Sequence, residues 1–95
     1  MNHLKMTIKD GLTANNVAAY QKEVEQIFTE IDDFNELILD LAGNDNIDST
    51  GVTFIISVFK RAKGMEKHFR VIGANADVQM LFKLMKLDQF FEMSD

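Results

Sequence analysis

The 95-residue sequence contains no cysteine, no proline and no tryptophan. Without cysteine, the chain can form no disulfide, no thiolate nucleophile and none of the cysteine-containing zinc motifs. Its apolar runs are only a few residues long, whereas a helix that crosses a bilayer needs about 20. Residues 1–5 lack the basic and apolar segments of a signal peptide. We therefore expect a cytoplasmic protein with no membrane span.

The balance of charge and the length of the chain narrow the classes of partner. A net charge of −5 argues against nucleic-acid binding, which needs clustered lysine and arginine. The one basic cluster, at 60–63, is typical of the solvated last turn of a helix. A chain of 95 residues suits a single domain, 1–95, with a modest core and no room for a large cofactor. The binding surface of so small a domain is expected to be shallow, which suits a protein partner.

The spacing of apolar residues changes along the chain from period two to period three or four and back. Alternation predicts strands at 4–8 and 69–73, and a short apolar run predicts a buried strand at 37–39. Helical spacing predicts a first helix capped by Thr13 or Asn15 and a second from Ser49 to about Gly64. The apolar positions of a third helix are Val78, Leu81, Phe82 and Met85.

Strands that alternate with helices indicate an α/β fold. We expect a mixed, partly parallel sheet of about four strands, in which the last apolar cluster forms a short strand or turn. That cluster consists of Leu87, Phe90 and Phe91. Met80, Met85 and Met93 fit two interpretations. They can fill gaps in the core, which we favour, or line an apolar groove for a partner.

The loop from Asn44 to Gly51 is the segment most suited to a function. We place Ser49 at the N-cap of the second helix and expect Gly51 to leave the helix end uncovered and open to an anion. A phosphate on Ser49 would lie near those donors but beside Asp48 and Asp45, which repel it. The phosphate would therefore be compatible with the fold but would disrupt the binding of a partner to this loop. The alternative interpretation is that the loop only starts a helix.

Catalysis by this chain is not expected. A nucleophilic serine needs a positioned base, and nothing places His3 or His68 beside Ser49. The paired acids at 32–33 and at 45 and 48 are typical of solvated loops, because no apolar flank would raise their pKa values. We expect no metal site.

Two segments together resemble the STAS family, and in particular the bacterial anti-sigma factor antagonists. The first is Ile38-Leu39-Asp40-Leu41 with the following Ile47-Asp48-Ser49-Thr50-Gly51-Val52, which is similar to the family's strand, loop and Asp-Ser-Ser/Thr/Ala-Gly signature. The second is 78–91, which resembles the closing helix and its final apolar pair. The resemblance covers the strand order and helix lengths of nearly the whole chain.

The resemblance implies a function and the residues that carry it. It makes Ser49 the phosphoacceptor and implies that the partner-binding surface consists of Asn46, Asp48, Ser49, Thr50 and Gly51. The implied partners are a GHKL-type serine kinase that is also the anti-sigma factor, and a PP2C-type phosphatase. The unphosphorylated antagonist binds the kinase and thereby regulates transcription. ATP and metal belong to those partners, so no cofactor is expected in this chain.

The sequence departs from the family at two places, and a second function stays open. An additional first strand usual in the family has no counterpart before Leu4, which would leave a sheet edge free to pair with another copy. Thr13 stands where many antagonists have an acid. The alternative function is that of a protein-binding STAS subunit in a lipid-transport or signalling scaffold complex.

Overall fold

The computed structural model describes residues 2–9, 11–31, 33–42 and 46–94. Strands and helices alternate along them, and a short 3-10 helix precedes the last strand. The elements are β1 (His3–Thr7), α1 (Val17–Glu30), β2 (Glu36–Asp40), α2 (Ser49–Gly64), β3 (His68–Ile72), α3 (Ala76–Leu84), the 3-10 turn Leu87–Gln89 and β4 (Glu92–Ser94).

The described strands form one four-stranded sheet in the sequential order β1-β2-β3-β4. Every pairing is parallel, with His3 opposite Glu36, Glu36 opposite His68, and Arg70 opposite Glu92. The alternating α/β fold and the four strands agree with the sequence prediction. The prediction allowed for a mixed sheet, but each described connection is a crossover that returns the chain in the same direction.

One face of the sheet carries the hydrophobic core. Right-handed crossovers in a sequential sheet place all connecting helices on the same face. The buried cluster accordingly joins alternate strand residues to the inner sides of the helices. From the strands it includes Met6, Leu37, Leu39, Phe69 and Val71, and from the helices Val24, Phe28, Phe54, Ile55, Val58 and Phe82.

The opposite face of the sheet is charged. Lys5 and Arg70 lie on either side of Ile38 in the pairing register, and Ile38 is buried although it stands outside the main core cluster. The Lys5 ammonium is 3.6 Å from the Asp40 carboxylate, and the Arg70 guanidinium is 3.5 Å from the Glu36 carboxylate. The alternation of β2 therefore separates a dry face from a face of ion pairs.

The three methionines of the last segment lie in different surroundings. Met93 is half-buried and packs against the core, as favoured from the sequence. Met80 and Met85 are 62% and 45% exposed, so the core interpretation is wrong for both. The reason is the orientation of α3, which turns Val78 and Phe82 inward instead. No described helix is long and apolar enough to cross a membrane.

Phe82 and Leu84, two positions on different sides of α3, test the orientation of this helix. Phe82 is fully buried and meets the Phe91 ring edge-on at 6.2 Å, whereas Leu84 is 75% exposed. We expect Phe82→Ala to lower the free energy of unfolding by about 3–5 kcal/mol through lost burial and a residual cavity. Leu84→Ala should change it by less than about 0.5 kcal/mol. Urea unfolding of both variants measures this, and similar losses would contradict the orientation of α3.

Candidate functional site

The candidate site lies beyond the carboxyl ends of β1 and β2, where two loops run side by side. Leu12 of the first loop forms an isolated parallel bridge with Ile47 of the second. The Leu12 amide donates to the Asn46 carbonyl at 2.8 Å, and the Asp48 amide donates to the Leu12 carbonyl at 3.3 Å. The starts of α1 and α2 are therefore joined through their backbones.

Gly51 allows this close approach. A Cβ atom at this position would lie 2.1 Å from the Leu12 carbonyl oxygen and 3.1 Å from the Ile47 Cγ2 atom. The distance to the Leu12 carbonyl oxygen permits no Cβ atom, the distance to Ile47 is tight, and Gly51 is buried. The sequence interpretation that Gly51 leaves the helix end open is therefore wrong. The missing side chain makes room for the neighbouring loop.

Asp48 is the N-cap of α2, and Ser49 is the first helical residue. One carboxylate oxygen of Asp48 accepts from the Gly51 amide at 2.9 Å, and the other accepts from the Ala14 amide at 3.1 Å. The prediction of Ser49 as the N-cap is wrong because Asp48, equally suited to capping, already receives the first-turn amide. A carboxylate thus occupies the helix end that the sequence interpretation leaves open to an anion.

The environment of Asp48 favours its ionised form. The hydrogen bond from the Gly51 amide, followed by the Ala14 amide, lowers the pKa of Asp48 below its usual value of 3.8, although desolvation opposes the change. The positive end of the α2 dipole acts in the same direction. The site therefore presents a fixed negative charge directly before Ser49.

Ser49 and Thr50 are exposed at the first turn of α2. The Ser49 carbonyl accepts from the Thr53 hydroxyl at 2.9 Å, a bond that involves the Ser49 backbone and not its side chain. Asn46 is exposed, and its carbonyl is held by Leu12. The five predicted partner-binding residues therefore cluster in space, with Gly51 beneath the surface. Asp45 lies outside the described residues.

The start of α1 lies against this cluster. Its N-cap is Asn16 rather than the predicted Thr13 or Asn15. The Asn16 carboxamide oxygen accepts from the Thr13 amide at 2.9 Å, and the Asn16 amide group donates to the Gly11 carbonyl at 2.8 Å. Thr13, which stands where an acid was expected, thus belongs to a turn tied next to Asp48.

Both histidines lie at the amino ends of their strands, at the opposite edge of the sheet from Ser49. His3 begins β1 and His68 begins β3, whereas the loop to Ser49 follows the carboxyl end of β2. A five-residue strand separates the two edges by about 13 Å. Neither imidazole is therefore placed to act as a base for Ser49.

An apolar cleft beside Ser49 was missed as part of the site by sequence reasoning. It has a volume of about 340 Å³ and lies between the start of α2 and the end of α3. Its lining residues are Ile47, Asp48, Ser49, Val52, Thr53, Leu81 and Met85. The interpretation of Met85 as part of a groove for a partner was the signal in the sequence that pointed to this cleft. Finding the cleft also requires the knowledge that α3 lies beside α2, which is a long-range contact.

Residues 2–95, almost the whole chain, match the family model of the STAS domain. The chain belongs to the STAS domain family. The same fold occurs in TM1081 of Thermotoga maritima, a protein provisionally described as an anti-sigma factor antagonist. Its crystal structure superposes with a TM-score of 0.84 at 20% sequence identity, covering 98% of this chain and 79% of the other.

A solution structure of TM1081 gives a similar result. Its TM-score is 0.80 at 20% identity, and the alignment covers 98% of this chain and 74% of TM1081. No curated protein matches the chain. At this identity the likeness establishes the fold alone.

The contact beneath Gly51 makes a substitution test possible within one helix. Gly51→Ala should lower the free energy of unfolding by about 3 kcal/mol or more, because the new methyl group would overlap the Leu12 carbonyl. A Cβ atom at Gly64, at the end of the same helix, would meet nothing within 4 Å. Gly64→Ala should raise stability by about 0.4–1 kcal/mol. Urea unfolding measures both, and a harmless Gly51→Ala would contradict the loop contact.

The lowered pKa of Asp48 gives a stability effect that depends on pH. A depressed carboxyl pKa stabilises the fold above the unfolded value and loses that contribution as pH falls through the folded value. Asp48→Asn also turns an amide donor toward the Ala14 N–H. Above about pH 5, the variant should therefore have a lower melting temperature than the wild type. The difference between the two melting temperatures should narrow as pH falls below 3.8. Thermal melts from pH 7 to 3 test this, and a constant gap would contradict it.

Proposed function

We propose that this STAS domain is a protein-binding module, not an enzyme, and that phosphorylation of Ser49 switches its binding. The observation that carries the proposal is the position of Ser49. Its exposed side chain begins α2, follows the ionised Asp48 and lines an apolar cleft. A partner that covers the cleft would therefore also cover the hydroxyl.

The occupied helix end explains why a phosphate would act as a switch. Phosphorylation adds a charge of about −1.5 to −2. The Gly51 and Ala14 amides already donate to Asp48, so a phosphate on Ser49 competes with that carboxylate for them and is repelled by it. The phosphate would be directed outward, over the cleft. Charge on this surface opposes the burial of apolar partner groups.

The proposed partner is a GHKL-type serine kinase that also acts as an anti-sigma factor. In this function the unphosphorylated domain sequesters the kinase and so controls transcription, and a PP2C-type phosphatase restores the unphosphorylated form. Two observations support a protein of this kind: the shallow, partly apolar surface around Ser49, and the family that the chain belongs to. A cytoplasmic location is part of the same proposal.

Two neighbouring hydroxyls provide a matched test. Ser49 and Thr50 are both exposed in the first turn of α2. Wild type, Ser49→Ala and Thr50→Ala would be incubated with ATP and the GHKL kinases of the same genome, and intact masses recorded. We expect one added phosphoryl group on wild type and on Thr50→Ala, and none on Ser49→Ala.

Two results would count against the switch. Equal phosphorylation of Ser49→Ala and wild type would remove Ser49 as the acceptor. Absence of phosphorylation with every kinase, together with stable binding to a transport or scaffold component, would favour the alternative function of an unmodified binding subunit. Circular dichroism of each variant separates both results from a failure to fold.

A further inference from the structure

A second apolar surface lies at the C-terminal half of α2, away from Ser49. Phe59 of α2 lies 6.3 Å from Phe90 and 5.5 Å from Phe91, measured between ring centroids. These rings separate two adjoining hollows of about 340 and 120 Å³, and Ile56 and Leu87 line the smaller one. We call this surface, formed by Ile56, Phe59, Leu87, Phe90 and Phe91, the aromatic groove.

Phe90 is the exposed wall of the aromatic groove. Its neighbour Phe91 is buried and packs edge-on against Phe69 and Phe82. Phe90 is 59% exposed and lines both hollows. An exposed aromatic side chain beside further apolar surface is typical of a binding site.

The rim of the groove is basic, although the chain as a whole carries a charge of −5. Lys60 lines the smaller hollow, and Lys63 lines the larger together with Lys67, whose ammonium donates to the Phe34 carbonyl at 2.7 Å. The Lys63 ammonium lies 5.9 Å from the centre of the Phe59 ring. Among the lining side chains that the structure describes, Glu36 is the one carboxylate, and it faces Arg70 at 3.5 Å.

Arg61, the neighbouring cation of α2, makes its contacts elsewhere. Arg61 points to the opposite side of the helix, where it binds the Glu25 carboxylate of α1 and lies 5.4 Å from the centre of the Phe28 ring. Lys60 and Lys63, three residues apart, instead share the side that faces the groove. The basic cluster predicted as a solvated helix end therefore has two sides with different surroundings.

We propose that the aromatic groove binds an acidic peptide segment of a partner protein, with an aliphatic or aromatic anchor beside Phe90. The apolar floor suits the anchor, and Lys60 and Lys63 on the rim are complementary to carboxylates on either side of it. Phe59 is ten residues from Ser49 along α2, which corresponds to about 15 Å. The Ser49 side chain is therefore distant from the Phe59 ring, and the two surfaces come nearest where Ile56 of the groove lies one turn of α2 beyond Thr53 of the cleft.

A synthetic peptide provides the test. The probe is a fluorescein-labelled peptide with a central Leu-Phe pair between two runs of three aspartates. We expect saturable binding, followed by fluorescence polarisation, and amide shifts confined to 56–68 and 87–91 in NMR spectra. Raising the salt concentration should weaken the binding, because its ionic part is exposed. Peptides with Lys for Asp, or with Ser for Leu and Phe, should bind at least tenfold more weakly.

Matched variants locate the binding. Lys60→Glu combined with Lys63→Glu, and separately Phe90→Ser, should each weaken the peptide at least tenfold. Lys83→Glu and Leu84→Ser alter an exposed charge and an exposed apolar residue of α3 that do not line the groove, and should change the affinity less than twofold. Ser49→Asp should leave it unchanged.

Four results would overturn the proposal. They are no saturable binding up to about 1 mM peptide, equal binding of the peptide without aspartates, equal losses in the α3 control variants, and a loss in Ser49→Asp. Sedimentation of the free protein can give a fifth result that overturns it. If the wild type is a dimer that Phe90→Ser dissociates, a second copy of the chain occupies the groove instead.

Discussion

The two hydrogen bonds accepted by the Asp48 carboxylate connect the parts of this molecule that matter for its function. One bond caps α2 through the Gly51 amide, and the other holds the Ala14 amide in the loop before α1. The close contact of Gly51 with the Leu12 carbonyl fixes the same two loops from below. Ser49 therefore begins its helix from a fixed backbone, and its side chain is exposed beside the apolar cleft.

The parallel sheet explains why this arrangement occurs at one edge. Each described strand runs in the same direction, so the loops that follow β1 and β2 emerge side by side. Consecutive crossovers put the helices on one face, and α3 then closes the cleft beside Ser49 with Leu81 and Met85. The other end of α2 carries the aromatic groove. One helix thus carries Ser49 at its start and the Phe59 ring of the groove about 15 Å further along.

Local patterns predicted the elements but not the contacts between them. The apolar spacing of 49–64 gave α2 its bounds, and the short run at 37–39 identified β2. Local preference could not choose the N-cap, because Asp48 and Ser49 are both good capping residues. Asp48 also accepts from the amide of Ala14, which is 34 residues away in sequence, and local patterns cannot reveal this contact. Spacing likewise could not show which side of α3 faces inward, so the exposure of Met80 was missed.

The proposed switch requires that charge at Ser49 weaken partner binding without unfolding the site. The most direct test is calorimetry with the kinase that modifies Ser49, using unmodified chain and chain phosphorylated at that residue alone. The phosphorylated form should bind at least tenfold more weakly, while its NMR spectrum keeps the Ala14 and Gly51 amides protected from exchange. Equal affinity of the two forms would contradict the switch, and loss of that protection would contradict a change limited to the surface.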